Sequence, residues 1–342
     1  MKNIIVLGGS GFIGSNFIKE LSKKKKYNII NIDKLSYSSN NKYLNDIKSN
    51  YFFYRTNIGN SKKINDILKK YKPFRIINFA AYTHVDRSIE NSSEFIENNV
   101  LELDQFLNCL KNFIKKNKIK FKFHQVSTDE VFGDLEYKSK KKFTENQFYN
   151  PSNPYAASKA AADQIVMAWS RTNNIPVSIS YCSNNFGENQ FVEKFIPKTI
   201  LSFSEKKKIE IYGKGKNIRN WIYVRDHCLI LQKILLSNIK GKFNISSTNY
   251  FSNYDLAKMI FNIMKIKNNK LINFNLFYKF VKDRPGHDRK YSINSTKVMK
   301  TFNWKNKGNF KFSLLLTISW YLRNKTIYKK LSENLKRQGL DK

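Results

Sequence analysis

Thr128, Asp129 and Glu130 stand in succession at the end of an apolar run, and Tyr155 and Lys159 stand four residues apart in a helical pattern. A tyrosine works as a base near neutral pH only if its phenolate is stabilised. An ammonium one turn away on the same helix face, together with an oxidised nicotinamide, supplies that field. The Thr128 hydroxyl can donate to the same substrate oxygen. Adjacent carboxylates usually occupy solvated turns, but at the carboxyl end of a buried strand they lie in the crevice where open α/β sheets bind ligands. Two carboxyl groups in unlike surroundings suit a proton removal and a proton donation on one substrate. Simple hydride transfer needs neither.

The segment Gly8-Gly9-Ser10-Gly11-Phe12-Ile13-Gly14 lies between a strand pattern and a helix pattern. Gly8 suits the tight turn, Gly11 lets backbone approach a pyrophosphate at the helix N-terminus, and Gly14 allows close helix–strand packing. Asp33 closes the second strand pattern, where a carboxylate accepts from both ribose hydroxyls. A 2′-phosphate would be repelled by Asp33, and Lys34 is the one cation nearby. The cofactor expected is therefore NAD rather than NADP.

The elements that hold these groups follow from hydrophobic period. Residues 3–7, 27–32, 51–54, 75–79, 121–127 and 176–182 read as strands, and 11–24, 61–70, 93–116 and 154–172 as helices. Regular alternation to about residue 182 argues for an α/β fold, a Rossmann-like doubly wound parallel sheet. Beyond Cys182 the rhythm loosens, with loops near 183–193 and 213–220 and a polar stretch near 265–275. The expected organisation is an NAD-binding domain over 1–182, with an element returned from 220–250, and a smaller mixed substrate region over 183–330.

The formal charge of +36 comes from 52 Lys and 10 Arg against 26 acidic residues, alongside 43 Asn. Such a surplus ordinarily suggests nucleic acid. Here it is nearly all lysine, whereas guanidinium is the group that reads guanine bidentately, so it fits a coding bias spread over solvated faces. The run 23–26 sits at a helix end, where lysines complement the dipole. Cys109, Cys182 and Cys228 lie far apart, without metal-ligand spacing, so neither disulfides nor a metal site is expected and a reducing cytoplasm fits. No apolar stretch of about 18 residues suggests a membrane span.

From about residue 2 to residue 323 the chain resembles the extended short-chain dehydrogenase/reductases and, within them, the dTDP-glucose 4,6-dehydratase family. The carriers are the glycine loop, NIDKLSY (31–37), AAYTHVDRS (80–88), STDEVFGD (127–134), PYAASKAAAD (154–163), CSNNFG (182–187), EKFIP (193–197), IYGKGKNIRNWIYVRDH (211–227) and DRPGHDRKY (283–291). The Thr-Asp-Glu triplet and DRPGHD are the specific members. The resemblance implies that Tyr155, held by Lys159 and Thr128, removes the C4 hydroxyl proton of a nucleotide-bound glucose as hydride passes to NAD. Glu130 then takes the C5 proton while Asp129 protonates the departing C6 hydroxyl, and hydride returns to C6. The product is the 4-dehydro-6-deoxy sugar.

The same resemblance implies cofactor contacts for Phe12, Ile13, Lys34, Ser36, Asn57, Ile58, Ala80, Ala81, Thr83 and Asn185, besides the glycines, Asp33, Tyr155 and Lys159. It places Thr83 and Asn184 beside the sugar, Lys194 and Tyr212 on the nucleotide side, Arg219 at the diphosphate and Asn249 in support. Asp283, Arg284, Pro285, Gly286 and His287 fall by the nucleoside and phosphates, and His84 is held only as a candidate. A planar guanidinium suits a diphosphate through paired hydrogen bonds. Asn57, Asn220, Lys290, Phe132 and the Leu101-Glu102-Leu103 segment depart from the family pattern. A homodimer through the helices 93–116 and 154–172 is also implied. A 4,6-dehydratase for another nucleotide sugar such as UDP-glucose remains open, as does a 4-epimerase, although an epimerase has no use for the Asp129–Glu130 pair.

Overall fold

The computed structural model describes residues 1–117, 120–266, 272–306, 308–326 and 328. In the first region β1 (Lys2–Leu7), α1 (Phe12–Ser22), β2 (Tyr27–Asp33), β3 (Tyr51–Arg55), α2 (Ser61–Tyr71) and β4 (Arg75–Asn78) follow one another. Next come α3 (Val85–Glu90), α4 (Ser92–Ile96), α5 (Glu102–Asn117), β5 (Lys122–Thr128), α6 (Pro154–Asn173) and β6 (Val177–Cys182). After them come β7 (Asn184–Phe186), α7 (Phe195–Ser204), β8 (Ile209–Tyr212), β9 (Ile218–Tyr223), α8 (Val224–Leu236) and β10 (Gly241–Ile245). The chain continues through β11 (Tyr250–Ser252), α9 (Asn253–Lys265), β12 (Tyr278–Val281), α10 (Thr296–Phe302) and α11 (Phe310–Arg323).

β1 shows why the sheet forms. Ile4 and Val6 enter one buried cluster and Ile5 and Leu7 another, so period-two alternation puts apolar side chains on both faces of a strand that must be covered twice. The result is a seven-stranded parallel sheet in the order β10-β6-β5-β4-β1-β2-β3. Helices α2, α5 and α6 contribute to the first cluster, and α1, α8 and α10 to the second. The fold class expected from the alternation is the one observed. β10 pairs with β6 although β7, β8 and β9 intervene in sequence.

A three-stranded sheet β11-β9-β7, with one parallel and one antiparallel pairing, and the parallel pair β12-β8 lie outside the large sheet. A third apolar cluster drawn from α7, α9 and α11, including Ile196, Phe203, Ile260 and Leu314, backs them. Part of the polar stretch near 265–275, namely 267–271, lies outside the described residues.

One expected helix differs. The pattern over 93–116 is divided into α4, a π-helical turn at Glu97–Leu101, and α5. The π turn turns Asn98 and Asn99 into the protein, where Asn99 takes the Tyr82 N–H at 2.7 Å and donates to Ser158 Oγ at 2.9 Å. Buried amides with fixed partners, not the apolar stripe, decide the turn there.

Candidate active site

Helix α6 starts where its side chains dictate. Asn153 accepts the Ala156 N–H at 2.9 Å as N-cap and Pro154 occupies the first turn. This fixes Tyr155 and Lys159 one turn apart beneath the ends of β5 and β6, both buried. At the end of β5, Thr128 caps a short 3₁₀ turn by accepting the Glu130 N–H at 3.3 Å, so Asp129 and Glu130 face the same cleft.

That cleft, of about 520 Å³, is lined by Thr128, Asp129, Glu130, Tyr155 and Lys159 and by Gly8, Gly11, Phe12, Ile13 and Gly14 at the start of α1. Ala81, Thr83, Asn184, Asn185, Lys194, Tyr212, Arg219, Arg284 and His287 complete it from the other side. A connected side pocket holds Asp33, Lys34, Ser36, Ile58 and Ala80. Thus 24 of the residues expected from the sequence converge on one connected cavity. Asn57, Asn249, Asp283, Pro285 and Gly286 are not among those lining it. Asn57 Oδ1 is taken by the Gly59 N–H at 2.8 Å, so the acceptor expected to face a ligand is turned to backbone. Asn249 sits at the β9–β11 edge, where its carbonyl takes the Trp221 N–H, while Asp283 orients its neighbours by accepting from the Arg284 N–H at 2.9 Å and pairing with His287 Nδ1 at 2.6 Å.

The glycine loop fits a dinucleotide. Gly8 has φ +71°, and a Cβ there would stand 2.5 Å from Ala80 N. A Cβ on Gly11 would meet only Gly8 O, at 3.4 Å, which leaves an open cradle where a pyrophosphate lies at a helix N-terminus. Asp33 is held at the β2 end by the Ser10 N–H at 2.9 Å and the Leu35 N–H at 2.8 Å. Burial nonetheless raises its pKa, with those bonds opposing the rise.

The two adjacent carboxyls are not equivalent. Burial pushes Asp129 well above the usual range and the charge of Glu130 adds to it. Glu130 is also raised by burial, but Arg284 and Arg219 draw it back down. Asp129 is therefore the better proton donor and Glu130 the better acceptor. Asp129 Oδ2 and Asn184 Oδ1 are buried with no partner among the described residues, as groups awaiting a polar ligand are. Burial first, and Glu130 second, hold the Tyr155 phenol well above its ordinary pKa, so its ionisation requires added positive charge. Lys159 meanwhile donates to Val126 O at 2.9 Å.

Three groups escaped the sequence reading. Tyr291 is buried in the cleft with its hydroxyl bonded to Asp288 and 3.4 Å from Glu130 Oε2, and it carries the Arg219 guanidinium 4.3 Å above its ring. Asp86 accepts from Tyr212 at 2.9 Å and pairs with Arg284 at 3.4 Å, tying α3 to the far side of the cleft. Glu193 is approached by Arg87 at 3.5 Å and His84 at 3.8 Å. DRPGHDRKY, AAYTHVDRS and EKFIP contained the three, but nothing local marks a tyrosine or an acidic residue for a partner more than a hundred residues away. Lys194 and Thr83, both expected, meet directly through Lys194 Nζ and Thr83 O at 2.7 Å.

A doubly wound sheet, a glycine cradle with a strand-end aspartate, and a Tyr/Lys pair on one helix define an extended short-chain dehydrogenase/reductase. Residues 5–314 match the family model described as GDP-mannose 4,6 dehydratase. A dTDP-glucose 4,6-dehydratase of Neisseria gonorrhoeae is 37% identical over 95% of this chain and 97% of its own length, and one of Escherichia coli 36% identical over 96% of each. The chain belongs to this nucleotide-sugar 4,6-dehydratase family, the one that contains the dTDP-glucose 4,6-dehydratases. The crystal structure of the Bacillus anthracis dTDP-glucose 4,6-dehydratase in complex with NAD superimposes with a TM-score of 0.84 at 35% identity, covering 97% of this chain and 100% of that one. That of the Streptomyces venezuelae enzyme, with NAD and dTDP bound, gives 0.88 at 29%, covering 96% and 99%. A UDP-glucose 4-epimerase of Thermotoga maritima shares the fold, with a TM-score of 0.83 at 20% identity over 94% of this chain and 99% of its own.

Proposed function

We propose that this chain is an NAD-dependent lyase that converts dTDP-glucose to dTDP-4-dehydro-6-deoxy-glucose. The observation that carries the reading is the unlike environment of Asp129 and Glu130, adjacent buried carboxyls of which the first is pushed well up by burial and by its neighbour's charge, while two arginines oppose the rise of the second. An oxidation alone would use neither group. Family membership and the NAD-bound and dTDP-bound relatives support the cofactor and the substrate class.

When bound, NAD supplies hydride acceptance at C4 and hydride return at C6. The Gly8–Gly14 loop and Asp33 would hold its pyrophosphate and ribose. Tyr155 takes the C4 hydroxyl proton, with Thr128 orienting that oxygen. The resulting 4-ketone acidifies the C5 hydrogen, which Glu130 removes. Asp129 gives its proton to the C6 hydroxyl, which departs as water. Arg219 and Arg284 anchor the diphosphate: Arg284 Nε is buried without a partner among the described residues, a donor placed for an anion. Asn184 and Thr83 face the sugar, and Lys194 and Tyr212 the nucleotide.

We assign cofactor binding to residues 1–182 with α8 and β10, and substrate binding to the remainder through 330. We further infer a homodimer through α4–α5 and α6, supported by the exposed Ile96 and Leu101 beside that face. No helix among the described residues is long and apolar enough to cross a membrane. We infer a cytoplasmic setting, supported by the three cysteines, which are buried free thiols. The deciding experiment is incubation with dTDP-glucose, UDP-glucose and GDP-mannose in turn, with one assay for the 4-keto product. Turnover of dTDP-glucose far above the others is expected; turnover of UDP-glucose instead, or a C4 epimer with no keto sugar, would overturn the assignment.

A further inference from the structure

The side pocket of about 60 Å³ has walls that are mostly apolar or small, with Ile32, Ile58, Ala80 and Ala81 among them. Asp33 marks its ribose end. Another carboxylate also lines it: Glu102, first residue of α5, only 8% exposed. An acidic residue in a first helical turn is favoured by the helix dipole, but that explains neither its burial nor its partners. Lys34 Nζ donates to Glu102 Oε1 at 2.9 Å and Asn57 Nδ2 donates to the same oxygen at 2.7 Å.

Both donors are themselves fixed. Lys34 lies 4.8 Å above the Tyr82 ring. Asn57 has its amide oriented by the Gly59 N–H, which only a carbonyl oxygen can receive, so its NH₂ must turn to Glu102. Among the described residues both donors fall on Oε1, which leaves Oε2 as the acceptor for a ligand. The π-helical turn Glu97–Leu101 immediately precedes Glu102 and brings Asn98 into the same wall. Such turns recur where a helix is bent to serve a site.

We infer that Glu102 is a specificity-determining residue for the base of the dinucleotide, accepting the exocyclic amino group of adenine, with Lys34 and Asn57 as the residues that position it. The inference rests on the NAD reading above. A carboxylate only accepts. A 6-amino purine therefore gains a charge-assisted hydrogen bond, and a 6-oxo purine sets a carbonyl oxygen against an anion. Asn57, whose amide oxygen is oriented toward the Gly59 backbone, serves here by holding Glu102.

The test compares NAD with nicotinamide hypoxanthine dinucleotide, which differs at that one group. Full-length protein carrying labelled NAD is challenged with either unlabelled dinucleotide, and retained label gives their relative affinity without reference to turnover. NAD should compete better by about tenfold or more, the worth of one hydrogen bond to a charged group. Glu102→Gln, whose amide can turn to suit either base, should bring the ratio within about twofold of unity by the same reasoning. Equal competition in the wild type would overturn the inference without any variant, and so would an undiminished preference in Glu102→Gln. Failure of the protein to retain either dinucleotide would instead overturn the NAD reading itself.

Discussion

Asp163 lies one turn beyond Lys159 on α6, wholly buried, and its Oδ2 receives the Ser127 hydroxyl at 2.5 Å. Burial lowers the Lys159 pKa, and Asp163 is the first group that opposes the fall. Lys159 in turn restrains Asp163, which burial still raises to about 6. Spaced four apart, Tyr155, Lys159 and Asp163 thus align a base, a cation and a counter-charge on one helix face. Asp163→Asn should let Lys159 lose its proton at lower pH. The basic limb of the pH profile for NADH formation in a single turnover should then move to lower pH. A profile of unchanged shape would mean that Asp163 only packs.

The split between oxidation and elimination predicts separable defects. Tyr155→Phe should reduce NADH formation from dTDP-glucose by about 10²–10⁴-fold, the range for loss of a general base. Glu130→Gln should still form NADH and then stall before water leaves, seen as persistent absorbance at 340 nm. Proportional slowing in both variants with no trapped NADH would refute the assigned roles.

The legible part of this molecule was whatever repeats locally. Ile4 to Leu7 announced a doubly covered strand, Gly8 to Gly14 and Asp33 a dinucleotide site, and Tyr155 with Lys159 a helix face. Pairings across long loops were illegible. Tyr291 stands beside Glu130, with Arg219 of β9 over its ring and Asp288, from its own loop, bonded to its hydroxyl. Glu102 read as a departure from pattern until α5 packed it against Lys34 and Asn57. The π turn was hidden because Asn98 and Asn99 differ from a helix's polar face only in where their partners end up in space: Tyr82 and Ser158 for Asn99, and the Asn99 amide oxygen for Asn98.

Charge number and charge placement predict different things. Changing the solvated run 23–26 to glutamine should leave KM for dTDP-glucose nearly unchanged. Arg284→Gln should raise it strongly, because an anion facing a lost buried partner costs on the order of 2–5 kcal/mol. Screening acts over about 10 Å at 0.1 M salt, so any lysine effect should fade with salt while the Arg284 defect persists. Equal defects, or retention of the protein on DNA at physiological salt, would return the lysine surplus to functional significance.

At the ribose, Asp33 is held from below by Ser10 and Leu35, so a 2′-phosphate would meet a fixed anion. Asp33→Ala should weaken NAD and improve NADP, narrowing their ratio of dissociation constants. Comparable binding of both by the wild type would remove Asp33 as the discriminator.

His124 gives a stability prediction with a defined sign. Its ring is wholly buried between Ser178 Oγ at 2.8 Å and Ser180 Oγ at 3.0 Å. Burial holds its pKa well below the ordinary histidine value of 6.5, which favours the neutral ring in the fold. Below pH 6.5 the unfolded chain binds a proton there that the folded chain refuses, and stability is lost as pH falls toward the depressed folded value. The slope is about 1.4 kcal/mol per pH unit for this one group. Raised carboxyls such as Asp163 act with the opposite sign, so the whole-protein curve mixes the two. A difference between variants isolates the histidine: His124→Gln keeps polar atoms for the serines and does not titrate. Its urea-unfolding stability should therefore lose less than the wild type's between pH 6.5 and pH 5. Parallel curves over that interval would show that the ring can protonate within the fold.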